Sequence, residues 1–274
     1  MQKIILAMNA AVLNNSSIEF ACYIAAKTKS RLYAVFLEEV KLLERIEIET
    51  GDITVTEQVE VMGNCPIALS QVQINVEVFK STCNRHNVPF SVHIDRGFAL
   101  REIITESRFA DLLITDVNTS FDDERQEGIP SRFVKDLLKQ AECPVIISPM
   151  DFDSLNEIVF TYDGSESSVF AIKQFAYLFP EAGDTKITLI QILREKTTEI
   201  TQKEKLKEWL MMRYEGVHFE VLHGDPDEIL FERYFTQKNK MLVMGAYGRK
   251  LFCFRSTADL VLKTLDIPVF IAHL

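Results

Sequence analysis

No apolar run in the 274 residues is long enough to cross a bilayer; the strongest are short and end in Gly, Pro or charge, so no membrane span is expected. Cysteine is scarce. The five present (Cys22, Cys65, Cys83, Cys143, Cys253) are scattered, odd in number and form no C-x-x-C pair. That argues against a disulfide framework and against structural zinc. Cys22 and Cys143 sit in apolar contexts and are expected to be buried thiols. The five histidines (His86, His93, His218, His223, His273) show no ligand spacing. His218 and His223, five apart in an expected strand, point to opposite faces. There is no G-x-x-x-x-G-K-[S/T] run, which disfavours P-loop hydrolysis. Nothing in the sequence assembles a Ser-His-Asp or Cys-His set. Basic residues are too few for broad nucleic-acid binding: 30 Lys and Arg face 40 Asp and Glu, a net charge of −10. The deficit is shared, with 15 basic and 21 acidic residues in 1–150 and 15 and 19 in 151–274.

What is present is a soluble composition, 47% hydrophobic and 26% charged, with enough apolar material for a core in each half. The opening Met1–Asn9 is better explained as a buried first strand than as a short signal peptide, and a cytoplasmic protein is expected. An internal repeat then emerges. Lys3-Ile4-Ile5-Leu6-Ala7-Met8-Asn9 matches Glu157-Ile158-Val159-Phe160-Thr161-Tyr162-Asp163. Each leads into a serine pair, Ser16-Ser17 or Ser167-Ser168, expected to cap helices over Ile18–Lys27 and Val169–Leu178. The segment from Asp136 through Cys143-Pro144-Val145-Ile146-Ile147 matches the one from Leu260 through Ile267-Pro268-Val269-Phe270-Ile271: a helix, then a Pro opening a short β-branched strand.

Between these landmarks lie the apolar runs Leu112–Thr115 and Met241–Met244, which suit strands buried on two faces, and turns at Gly97 and Gly224. Each copy therefore reads as alternating strand and helix, the pattern of an α/β, doubly wound parallel sheet with helices on both faces. The copies are assigned to residues 1–150 and 155–274, with the boundary near 152. Residues about 38–66 of the first copy are an expected surface insertion of hairpin type. Its Glu38–Glu60 stretch carries eight acids against two bases, which suits a solvated face.

The stretch with most chemical content is Val243-Met244-Gly245-Ala246-Tyr247-Gly248-Arg249-Lys250, a buried strand running into a Gly-x-x-Gly turn and two cations. Free amides of such a turn can cradle a phosphate, and Ser256-Thr257 can cap the helix Ala258–Lys263 beyond it. Gly-x-x-Gly alone is equally a structural turn. The second element is Asp163, in Asp163-Gly164-Ser165. A carboxylate there can accept hydrogen bonds from a ribose hydroxyl or an adenine amine. Gly224-Asp225-Pro226 reads as a structural turn and helix start. Phe231, Tyr234 and Phe235 recur at helical spacing and are expected to pack the core.

Together, Asp-Gly-Ser after the first strand, Gly-Asp-Pro before a helix, and Gly-Ala-Tyr-Gly-Arg leading to a final Pro-Val-Phe-Ile strand resemble the universal stress protein family, twice over the chain. The resemblance implies an adenine nucleotide alpha hydrolase-like, Rossmann-like fold in two tandem copies related by a pseudo-twofold axis and paired through their terminal strands. It implies an adenine nucleotide such as ATP or ADP, with no metal beyond nucleotide-associated Mg. Residue by residue it implicates Asp163, Gly245, Gly248, Ser256 and Thr257, with Arg249 and Arg255 as nearby cations.

The sequence departs from the family motif in two places. Arg255 stands where a second glycine is expected, and six residues separate it from Gly248 where nine are expected. That arginine either reaches the phosphate or fills its space. In the first copy Asn9 replaces the strand-end Asp, and Asp116, Asp122, Asp123 and Glu124 crowd the corresponding turn. Like charges there repel a polyanion by on the order of 1 kcal/mol each, so this copy is expected to be degenerate. Three functions follow in order of support: a nucleotide-binding stress regulator, a scaffold for a protein partner without nucleotide, and a slow nucleotide hydrolase. The last lacks any general base. No nucleic acid or membrane partner is expected, and the pseudo-dimer could pair again as a homodimer.

Overall fold

The computed structural model describes residues 2–39, 45–50, 53–58, 69–122, 127–181, 185–194, 199–200, 202–245 and 257–273. The first half runs β1 (Lys3–Asn9), α1 (Asn15–Lys27), β2 (Arg31–Glu39), the antiparallel hairpin β3 (Arg45–Thr50) and β4 (Ile53–Gln58), and α2 (Leu69–Arg85). It continues β5 (Phe90–Gly97), α3 (Ala99–Ser107), β6 (Leu112–Asp116), α4 (Arg132–Gln140) and β7 (Val145–Ser148). The second half runs β8 (Glu157–Tyr162), α5 (Glu166–Leu178), β9 (Lys186–Leu193), α6 (Lys203–Met211), β10 (His218–His223), α7 (Pro226–Tyr234), β11 (Lys240–Gly245), α8 (Thr257–Thr264) and β12 (Val269–Ala272).

Ten strands form one sheet in the order β10-β9-β8-β11-β12-β7-β6-β1-β2-β5. Read from the centre outward, both halves have the same order, and all pairs within a half are parallel. At the seam, and among the described residues nowhere else in this sheet, the pairing is antiparallel: β7 against β12, with Ile146 opposite Phe270. Antiparallel pairing of two like strands is what a twofold axis through the seam requires. The chain is thus an α/β protein of two tandem doubly wound domains in pseudo-twofold relation.

Because the strands are covered on both faces, their side chains alternate between two cores that each span the seam. Ile4, Leu6, Ile146, Phe160 and Phe270 pack beneath α1, α2, α5 and α6. Ile5, Ala7, Val159, Leu242 and Ile271 pack beneath α3, α4, α7 and α8. Phe270 meets Phe175 edge-on at 5.3 Å between ring centres. In the linker, Phe152 reaches back to Phe20 and Tyr23, each at 5.0 Å.

Several local expectations are corrected. The first helix is capped by Asn14, whose side chain accepts from Ser17 N at 3.2 Å, and Ser17 is buried within the first turn. In the repeat, Ser165 is the cap, accepting from Ser168 N at 3.1 Å. Both helices therefore start before the serine pairs, because an upstream oxygen reaches the orphan amide first. Tyr234 is buried, but Phe231 and Phe235 are exposed and lie against one another at 4.7 Å on the outer face of α7. A spacing of four residues marks one face of a helix without saying whether that face is covered. Cys22 is buried, whereas Cys143 is only partly covered.

Candidate functional site

In each half the strand order reverses beside the first strand: between β1 and β6, and between β8 and β11. Loops leaving the carboxyl ends there diverge to opposite faces and leave a crevice. Asp163 follows β8, and Gly245 ends its neighbour β11, whose register with β8 sets Val243 opposite Phe160. The fold thus brings two of the residues singled out in the sequence to one crevice.

Asp163 is exposed, and its Oδ1 accepts from Ser165 N at 2.9 Å, a local turn that Gly164 permits with a φ of 85°. Desolvation against the start of α5 disfavours its charge, but hydrogen bonds from Ser165 and Ser168 outweigh this and hold its pKa below the ordinary value. It is therefore a carboxylate at neutral pH, whose two oxygens together offer about four acceptor sites.

The glycine at 245 has a structural cause. A Cβ there would lie 2.4 Å from both the carbonyl carbon and the oxygen of Ser167 and 2.6 Å from Ser168 N. These are backbone atoms of α5 and cannot move aside, so β11 and α5 approach closely only because residue 245 has no side chain. Thr257 is the first residue of α8 and is half-buried. Gly248, Arg249, Arg255 and Ser256 lie outside the described residues.

Beside Tyr162, a cavity of about 260 Å³ opens between α5 and α6. Its lining includes Val169, Ile172 and Trp209 with the cations Lys173 and Lys205. Sequence reading missed it because its walls come from two helices whose facing sides are known only once they pack.

The first-half crevice is different. Asn9 Nδ2 donates to the Ser120 carbonyl at 2.7 Å, while its Oδ1 accepts from Ala11 N at 2.8 Å. Asp116 is buried and turned inward, accepting from Asn118 N and Thr119 Oγ1, both at 2.8 Å. Thr115 Oγ1 donates to the Ala7 carbonyl at 3.2 Å, and Ser17 and Ser148 share a hydrogen bond of 2.7 Å. The loop after β6 is thereby tied across the strand ends by its own side chains. Asp122 is exposed, and Asp123 and Glu124 lie outside the described residues.

Among the described residues, no group of three or more His, Cys, Asp or Glu could hold a metal ion. No helix there is long and apolar enough to cross a membrane.

No family model matches the sequence, and no curated protein does. Solved structures do match the fold. A universal stress protein from Archaeoglobus fulgidus DSM 4304 superposes with a TM-score of 0.71 at 13% identity, covering 99% of this chain and 98% of that one. A functionally unknown protein from Pseudomonas aeruginosa PAO1 gives 0.57 at 17% identity, covering 100% and 92%. The cytoplasmic domain of a prokaryotic cation chloride cotransporter gives 0.51 at 9% identity, covering 98% and 94%. At such identities the likeness establishes the fold: this chain has the architecture of a tandem universal stress protein, matched over its whole length.

Proposed function

We propose that this chain binds one adenine nucleotide, ATP or ADP, in the crevice of its second half, as a regulatory ligand rather than a substrate. The observation that supports this reading most is the contrast between equivalent strand ends. In the first half Asn9 is tied across the crevice to Ser120, whereas Asp163 presents an exposed, ionised carboxylate that bonds locally, to Ser165 and Ser168 at the start of α5. Such a group accepts hydrogen bonds from a ribose diol or an exocyclic amine. Gly248, Ser256 and Thr257, with Arg249 and Arg255, would hold the phosphates, and any Mg would arrive with the nucleotide. No general base is identified, so turnover is not part of the proposal. The first half acts as a built-in partner, giving a monomer that imitates a dimer. A cytoplasmic stress-linked role through an unidentified protein partner completes it.

The test is equilibrium binding of ATP and ADP to the intact chain and to Asp163→Asn. Asparagine keeps an acceptor for Ser165 N, as Asn9 does for Ala11 N, while removing the charge and turning the other acceptor oxygen into an NH2 donor. Losing a charged acceptor costs about 1.5–3 kcal/mol, hence roughly 10- to 100-fold in affinity. Equal affinity in the two proteins would refute the assignment of Asp163.

A second reading, a scaffold for a protein partner that binds no nucleotide, is favoured by Gly245. Its missing side chain is accounted for by Ser167 without any ligand. The cotransporter domain noted above has the same architecture as part of a larger protein. Absence of binding at millimolar nucleotide would select this reading.

A further inference from the structure

Cys22 on α1 and Cys83 on α2 are 61 positions apart in sequence, yet their sulfurs lie 3.6 Å from one another. Both are free thiols with no exposed surface, in the core cluster that also holds Phe36 and Phe79. α2 packs on the edge strand β5, which among the described residues pairs with β2 alone and exposes His93, Ile94 and Arg96, while α1 lies further in, across β1, β2, β6 and β7. The C-terminal end of α2 is held to α1 on the surface by Glu19. That carboxylate bonds Arg85 and also His86 Nε2, the latter at 2.6 Å. Arg85 and His86 sit two and three residues past Cys83, and Glu19 sits three residues before Cys22, so the clasp lies beside the thiol pair.

We propose that Cys22 and Cys83 form a redox-active dithiol, which a hydroperoxide converts to a disulfide tying α1 to α2 once the end of α2 opens. In the closed state neither sulfur meets solvent, and Cys83 is made less acidic by its hydrogen bond to Cys22 and by burial, so the nucleophilic thiolate is scarce. Opening at the edge admits peroxide and water. One thiolate attacks the peroxide, the O–O bond breaks, and a sulfenic acid forms with release of an alcohol, or of water from hydrogen peroxide. The second thiolate displaces the sulfenic oxygen as water and the S–S bond forms. Two thiols and one hydroperoxide thus give one disulfide, one water and one alcohol, the two electrons passing from sulfur to the peroxide. A neighbouring thiol captures the sulfenic acid before it oxidises further. The pair then responds to oxidant and local loosening together, and it does not depend on the nucleotide reading.

The test treats the reduced intact chain with hydrogen peroxide over a range of urea below global unfolding. Quenching by alkylation and peptide mass spectrometry then follow all five cysteines. The expected product is a Cys22–Cys83 linked peptide pair, reversed by dithiothreitol, formed slowly without urea and faster as urea rises. Glu19→Gln should speed its formation about two- to five-fold, the effect of removing a surface ion-pair clasp. In Cys83→Ser, Cys22 should end as sulfinic acid. The wild-type peptide map alone is decisive if that variant does not fold. Links from either residue to Cys65, Cys143 or Cys253, or recovery of both as alkylated thiols at every urea concentration, would overturn the proposal. A rate unchanged in Glu19→Gln would overturn the gating.

Discussion

Asn9 and Ser120 meet across the ends of β1 and β6, the Asn9 amide donating to the Ser120 carbonyl at 2.7 Å. With the second bond, from Ala11 N to Asn9 Oδ1, this one side chain fixes both loops of the first crevice. Replacing Asn9 by Ala removes both interactions and leaves a partly buried carbonyl without its donor. The expected loss is about 1–3 kcal/mol of stability, read from urea or thermal unfolding. Nucleotide affinity should not change, since the proposed site lies in the other half. A nucleotide affinity altered by Asn9→Ala would place the ligand in the first half.

Gly245→Ala should separate structure from ligand chemistry. The added methyl would sit 2.4 Å from Ser167 backbone atoms, so β11 and α5 must move apart. The expected cost is about 3 kcal/mol, the upper part of the usual overpacking range. Circular dichroism melting in the absence of nucleotide checks it. A variant as stable as the parent would mean that the close approach of β11 to α5 is not what demands glycine.

Glu157 supplies a pH dependence far from the crevice. It sits at the start of β8, buried between two strands, bonded to Lys240 of β11 and Thr188 of β9, with Lys186 at 3.2 Å. Burial works to raise its pKa, but the hydrogen bonds from Lys240 and Thr188 prevail and hold it down at about 2. An unfolded glutamate titrates near ~4.3, so the native state binds the proton less readily. Its contribution is therefore complete above that value and is lost as pH falls toward 2. Glu157→Gln should cost about 2 kcal/mol at neutral pH, below the full cost of breaking a deeply buried pair. It should also flatten the stability profile between about pH 4 and pH 2. Acid unfolding curves of both proteins measure this, and parallel curves would contradict the assignment.

The duplication is legible in sequence because its landmarks are local. An apolar strand ending in Asn9 or Asp163, and Pro144 or Pro268 opening the last strand, each need only a few neighbouring residues to be recognised. The seam between the terminal strands was expected only from the resemblance to the universal stress protein family, not from any residue pattern. The failures concern contacts the chain makes at a distance. Asn14 and Ser165 were hidden as caps among several small polar residues, any of which could have served. Gly245 looks the same in sequence whether a phosphate or Ser167 needs its empty side. Phe231 and Phe235 carry the spacing of a buried stripe but no sign that nothing covers it. Cys22 and Cys83 carry no sequence signal at all, since their meeting depends on how α1 packs against α2. The position of Asp163, just past the end of β8, was readable because it depends only on where one strand stops.

The central claim is that the two halves, alike in fold, differ in their crevices. Native mass spectrometry of the intact chain with excess ATP tests it most directly. One adenine nucleotide bound per chain, lost in Asp163→Asn and kept in Asn9→Ala, is the predicted result. Two per chain would mean that the Asn9–Ser120 tie does not close the first half, and none would mean that neither crevice takes nucleotide.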